Sequence, residues 1–215
     1  MDTDTDSDAD TDADTDTDSD TGSDTDSETD TQRQSGGECF ADLQWPPVQE
    51  ICFNQTGPQG DYTYELFFDV GAACMEVSHG GPFRVEWEET TGDMVARVGL
   101  RPGHVDQRVS YMAEFEPAGN AYFGVYGWTT DPLVEYYIVE NWGNWRPPGV
   151  DAVGTVESDN GTYDIYQTYP NIIDAGFFQF WSVRREGRNS GSITVQNHFD
   201  AWTQQGMNPK DLSQI

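Results

Sequence analysis

Tyr126-Gly127-Trp128-Thr129-Thr130-Asp131-Pro132-Leu133-Val134-Glu135-Tyr136-Tyr137-Ile138-Val139-Glu140 holds two extended runs on either side of an Asp-Pro turn signal. Side chains alternate across a strand, so parity sorts each run into two faces. In Ala121–Trp128, Tyr122, Gly124, Tyr126 and Trp128 share one face, with Ala121, Phe123 and Val125 on the other. In Val134–Glu140, Glu135, Tyr137 and Val139 lie together, with Val134, Tyr136 and Ile138 opposite. The second set of each run is apolar enough to pack a sandwich core. The first set joins flat rings, hydroxyls and a carboxylate, which suits a carbohydrate: rings cover sugar C–H faces and polar groups bind the hydroxyls. The plain alternative is that Tyr126 and Tyr137 only cover an exposed sheet.

The pattern extends outward from this pair. Gly, Pro, Asn and Asp punctuate the chain at short intervals. Between them lie aromatic and β-branched runs at Tyr62–Asp69, Phe83–Glu88, Arg108–Glu116, Thr162–Thr168, Phe177–Arg184 and Ser192–Val195. This spacing predicts an all-β sandwich or barrel. One stretch differs: from Asn197 to Gln205 there is no Gly or Pro, and Phe199, Trp202 and Met207 fit one short helix.

Charge divides the chain. Of its 215 residues 39 are Asp or Glu and 10 are Lys or Arg, a net −29. Fourteen of the acids lie in residues 1–35 against a single base, Arg33, and every aromatic lies at or after Phe40. Residues 1–37 therefore read as an extended, disordered Asp/Thr/Ser linker, and 38–215 as one globular domain with a real core. Calcium loops also place Asp at alternate positions, but they need a turn Gly and a closing Glu, and only Gly22 interrupts this run. The acidic balance argues against nucleic acid or an anionic membrane as partner. No stretch approaches the roughly 18 apolar residues of a membrane-spanning helix. Met1 is followed directly by linker, without a leader-like apolar segment, and the expectation is an exported protein whose leader is missing. Cys39 and Cys52 flank a short loop and could form a disulfide, leaving Cys74 over and buried; three reduced thiols are the alternative.

The Tyr126–Glu140 block resembles the signature of the glycoside hydrolase family 11 endo-1,4-β-xylanases. Three further blocks agree in order: Gly161-Thr162-Tyr163-Asp164-Ile165-Tyr166, Gln179-Phe180-Trp181-Ser182-Val183-Arg184 and Asn197-His198-Phe199-Asp200-Ala201-Trp202. The resemblance covers roughly residues 57–215. It implies a β-jelly roll of two twisted antiparallel sheets with one short helix, and a secreted, monomeric enzyme that cleaves β-1,4-xylan without cofactor or metal. Retention needs a nucleophilic carboxylate and an acid/base carboxyl about 5–5.5 Å apart. The resemblance makes Glu135 the nucleophile and Tyr126, Tyr137, Gln179 and Trp128 cleft residues. Phe67 falls where the family stacks a Trp on sugar, and Asp93 where it has Asn or Asp beside the acid/base. His198 is read as a structural histidine at the helix start.

There are departures. The family's acid/base Glu follows the helix in a last strand, and here it is expected beyond Ile215. The family's thumb loop carries an Arg and a Pro-Ser-Ile tip. Here the connection is Gln167–Phe178, with Tyr169-Pro170-Asn171-Ile172-Ile173-Asp174 in place of that tip. Arg97-Val98-Gly99-Leu100 replaces Gly-Lys-Gly-Trp. These departures keep a second reading open, a diverged β-sandwich of the same fold that binds a glycan without hydrolysing it.

Overall fold

A computed structural model describes residues 49–170 and 176–209, and the backbone of 212–214. Twelve strands and one helix are present among them. The strands are β1 (Gln49–Ile51), β2 (Gln55–Gln59), β3 (Tyr62–Val77), β4 (Phe83–Gly99), β5 (Arg108–Met112) and β6 (Tyr122–Thr130). They continue with β7 (Leu133–Trp142), β8 (Gly154–Ser158), β9 (Gly161–Thr168), β10 (Phe178–Arg184), β11 (Ser190–Thr194) and β12 (Leu212–Gln214), with helix α1 (Val195–Gln204) between the last two. No helix among the described residues is long and apolar enough to cross a membrane.

One sheet is built on the long β3–β4 hairpin, with β1 and β2 both paired to the free edge of β3. Ile51, Tyr64, Leu66, Ala73, Met75 and Val77 form its buried core. The second sheet runs β12-β6-β7-β10-β9-β8, and β5 pairs with β11 in a separate ribbon. Among the described residues every pairing is antiparallel except β7–β10, which is parallel. The two strands are far apart in sequence, and no local turn signal announces such a pair. The short strand β12 lies against β6, with Leu212 opposite Thr129 and Gln214 opposite Trp128.

The predicted faces of β6 and β7 are the observed ones. Val134, Tyr136 and Ile138 are buried under α1 with Val125, Phe180, Phe199 and Trp202. Tyr122, Tyr137, Val139 and Trp181 pack together on the opposite face. Gly124 marks a register shift in β6: a Cβ there would lie 2.0 Å from the Ile138 carbonyl oxygen, so only glycine lets β6 approach β7 this closely.

The helix forms where the sequence predicts it, buried through Val195, His198, Phe199, Ala201 and Trp202. Thr194 precedes it without capping it. Its N–H and hydroxyl instead donate to Asp159 in the β8–β9 turn, at 2.8 and 2.9 Å, which ties the helix start to that hairpin. The helix stops before Gly206, whose φ of +80° is open to glycine at little cost.

Glu140 and His198 are among the polar residues buried in and beneath the second sheet. Glu140 is fully buried, accepts hydrogen bonds from the Tyr111 and Tyr163 hydroxyls, and forms an ion pair with Arg188. Burial first, and then Glu140, raises the pKa of both phenols, which keeps them donors. His198 is also fully buried, edge-on to Tyr163 at 4.7 Å between ring centroids.

The expected Cys39–Cys52 pairing is corrected as well. Cys52 bonds to Cys74, 22 residues away. The antiparallel β1–β3 register sets Ile51 opposite Met75, and so brings Cys52 alongside Cys74. Cys39 lies outside the described residues, as do the acidic segment 1–37 and the thumb positions Asn171, Ile172, Ile173 and Asp174.

Candidate active site

Glu135 stands on the face of β7 away from the helix, only 8% exposed. Each of its oxygens receives a donor from a neighbouring strand. The Tyr126 hydroxyl on β6 donates to Oε1 at 2.7 Å, and the Gln179 amide on β10 donates to Oε2 at 2.7 Å. Register explains both. Tyr126 sits on β6 opposite Tyr137, one alternation from Glu135, and Gln179 is directly abreast of Glu135 in the parallel pair.

Both donors are themselves oriented by an indole, which can only donate. Trp128 Nε1–H donates to the Tyr126 hydroxyl oxygen at 3.0 Å, so that hydroxyl directs its own proton to Glu135. Trp181 Nε1–H donates to Thr168 Oγ1 at 2.9 Å, and Thr168 donates to Gln179 Oε1 at 2.9 Å. The amide nitrogen of Gln179 is then left facing Glu135. The carboxylate is thus held at both ends by groups fixed from behind, the preorganisation that a reacting carboxylate requires.

Around this centre the face is aromatic. Tyr137 stacks on Trp181 with centroids 3.7 Å apart, and Tyr126 packs on Tyr137 at 5.1 Å. Trp128 meets Phe177 edge-on at 4.8 Å, and Tyr122 links Trp181 to Trp145. Burial and then the Glu135 charge raise the pKa of Tyr126 and of Tyr137, so both phenols stay protonated.

The β3–β4 hairpin contributes a second wall. Arg97 lies with its guanidinium carbon 5.0 Å from the centre of the Tyr126 ring. It is held there by Glu65 directly across the hairpin, with Nε donating to Oε2 at 2.8 Å. Phe67 and Val95 are the next opposed pair on that face, and Phe67 is 37% exposed. Asp93 follows, its N–H bonded to Asp69 Oδ2 at 3.0 Å. Its charge reaches Tyr137, as a smaller contribution to that phenol's raised pKa.

All seven sequence-predicted residues can therefore be placed. Tyr126, Trp128, Glu135, Tyr137 and Gln179 form one bonded and stacked cluster. Phe67 and Asp93 lie on the hairpin face that reaches it through Arg97. His198 is on the far side of the sheet, as a structural residue would be. Sequence reasoning missed Trp181, Thr168 and the Glu65–Arg97 pair. Parity would have found Trp181, two positions beyond Gln179 on one strand; Thr168 and Arg97 needed knowledge of which strands are neighbours.

The only cluster of metal-ligand type among the described residues is Glu50 with Cys52 and Cys74, whose sulfurs are bonded to each other.

Residues 59–215 match the family "Glycosyl hydrolases family 11". The chain is 46% identical over 167 residues to "Endo-1,4-beta-xylanase A" of Thermoclostridium stercorarium, an alignment covering 72% of this chain and 25% of that protein. It thus spans only a quarter of that relative's length. It is 41% identical to "Probable endo-1,4-beta-xylanase B" of Aspergillus clavatus over 80% of this chain and 79% of that one. Among solved structures it resembles the family 11 xylanase from Neocallimastix patriciarum, with a TM-score of 0.66 and 27% identity over 77% of this chain and 89% of that chain.

Proposed function

Because this chain belongs to family 11 of the glycosyl hydrolases, we propose that it hydrolyses the internal β-1,4 links of xylan with retention, and that Glu135 is the nucleophile. The observation that carries the reading is the paired support of one buried carboxylate, with Tyr126 on one oxygen and Gln179 on the other, each at 2.7 Å.

The chemistry follows from that arrangement. Tyr126, Tyr137 and Trp128 present rings and a hydroxyl to the sugar beside Glu135. A Glu135 oxygen attacks the anomeric carbon, and the electron pair of the glycosidic bond leaves with the departing oxygen, which takes the proton of the acid/base carboxyl that retention requires. The resulting ester is then opened by water, which gives a proton back to the acid/base carboxyl as the C1–oxygen pair returns to Glu135. The two fixed donors stabilise the carboxylate as its charge is lost and regained. Phe67 extends the sugar-binding wall, and Asp93 modulates the charge of the cleft. In this reading the enzyme works outside the cell as a monomer, tethered or spaced by its acidic segment.

The test is covalent capture. A 2-deoxy-2-fluoro-xylobioside with a dinitrophenolate leaving group should esterify Glu135, read as one added glycosyl mass on the peptide that contains it. Such a leaving group departs without protonation, so the assay isolates the nucleophile. Binding of xylan with no adduct on Glu135 would instead favour the glycan-binding reading.

A further inference from the structure

We propose that Thr168 is a positioning residue for the second half of this reaction: it keeps the nitrogen end of the Gln179 amide turned toward Glu135 while Glu135 carries no charge. The inference rests on the nucleophile assignment above and goes beyond it.

A glutamine amide has two ends of nearly equal shape, one a donor and one an acceptor. Before reaction the negative Glu135 selects the donor end by itself, because the amide oxygen would be repelled. Once Glu135 is an ester that selection weakens. An amide free to turn would then present its oxygen to the atom that must become a carboxylate again, and this opposes breakdown of the ester.

The geometry supplies a second selector that does not depend on the charge of Glu135. Thr168 lies directly opposite Gln179 in the β9–β10 register. Its hydroxyl donates to Gln179 Oε1 at 2.9 Å. Its proton cannot be redirected at no cost, because Trp181 Nε1–H already points at Thr168 Oγ1 from 2.9 Å and must be accepted. Trp181 is 5% exposed and stacked on Tyr137, so it cannot swing away to release the hydroxyl. The chain Trp181–Thr168–Gln179–Glu135 therefore has one sense throughout, set by the indole at its far end.

This predicts an asymmetry between the two half-reactions. Formation of the ester begins with a charged Glu135 and should tolerate loss of the Thr168 hydroxyl. Breakdown should not. The experiment measures both rates on the full chain. Esterification by the fluoro-xylobioside gives the first, with C1–oxygen cleavage sending the electron pair to dinitrophenolate. Reactivation by azide gives the second: the azide nitrogen bonds to C1, and the C1–Oε pair returns to Glu135. Azide needs no general base, so only the surroundings of Glu135 are probed.

The expected result is that T168V slows reactivation about tenfold, the worth of one hydrogen bond to a developing charge, while esterification stays within about threefold. T168S should restore reactivation and T168C should fall between, since a thiol is a weak donor. Near-UV circular dichroism confirms folding; if T168V does not fold, the order of Thr, Ser and Cys decides. Equal slowing of both half-reactions, or unchanged reactivation in T168V and T168C, overturns the proposal and leaves Glu135 as nucleophile. Failure of the unmutated chain to form the adduct overturns the functional reading itself, and this inference with it.

Discussion

Tyr137 lies flat on Trp181, with ring planes 4° apart and centroids 3.7 Å apart. The two residues are abreast in the parallel β7–β10 pair, and Glu135 and Gln179 are abreast in the same register two residues earlier. One strand pairing thus aligns both the ring stack and the hydrogen bond to Glu135.

Replacing Glu135 by Gln should abolish adduct formation with the fluoro-xylobioside and lower the thermal midpoint only slightly. The substitution is close to isosteric and removes the charge of the carboxylate proposed as nucleophile. The new amide oxygen still accepts from Tyr126, while its nitrogen faces the Gln179 donor, so one of the two hydrogen bonds is lost, about 1 kcal/mol. Intact-protein mass spectrometry reads the outcome, and an adduct on the E135Q peptide would remove Glu135 from the mechanism.

Glu140 should matter for stability. It is fully buried and paired with Arg188, so E140A strands a cation and two phenol donors. Loss of one partner of a buried pair costs about 3–5 kcal/mol. Urea titration should show the midpoint falling with E140A, and less with E140Q, which keeps an acceptor. An E140A midpoint equal to wild type would mean that the cluster contributes nothing to stability.

The buried histidine makes stability depend on pH. Burial pushes His198 down to about 3, against a smaller opposing pull from Asp159. An unfolded histidine titrates near about 6.5, so between these values the unfolded chain binds a proton that the fold refuses. The stabilisation is complete above the unfolded value and is lost as pH falls toward the folded one. The slope approaches about 1.4 kcal/mol per pH unit. Comparing unfolding free energies of wild type and H198F from pH 7 to 4 isolates this contribution, because the Phe variant lacks the titrating group. Parallel curves would refute it.

The disulfide should be found between Cys52 and Cys74 by peptide mapping without reduction. Removing it with C52S/C74S should cost about 3 kcal/mol, the loop-closure entropy of a cross-link of this span. Recovery of a Cys39–Cys52 peptide in place of this one would contradict the β1–β3 register.

Much of the fold and of the site is legible in the amino-acid sequence, because strand parity is local. The alternation through Val134–Glu140 separates the buried Val134, Tyr136 and Ile138 from Glu135 and Tyr137 without reference to any other strand. The Asn197–Gln205 run, without Gly or Pro, marks the helix to within two residues at its start. The errors are long-range or polar. Nothing near Cys52 reveals that β1 lies on β3, so proximity in sequence favours the wrong partner. Edge strand β2, Gln55–Gln59, contains Gly57 and Pro58 and reads as a turn. Strand β8, Gly154–Ser158, has Val156 as its sole aliphatic residue and offers no alternation to detect. Thr168 and Gln179 are eleven residues apart across a connection whose tip lies outside the described residues, and only their pairing shows that they cooperate.

Glu135 and Glu140 stand five positions apart on one strand, and an odd separation sends them to opposite faces. A slip of β7 by one residue would turn Glu135 in beneath the helix and swing Glu140 out among the aromatic rings of the other face, away from Arg188, Tyr111 and Tyr163. The pair therefore works as a registration mark. The ion cluster on the hidden side permits one alignment of the strand, and that alignment delivers Glu135 to the side of Tyr126 and Gln179.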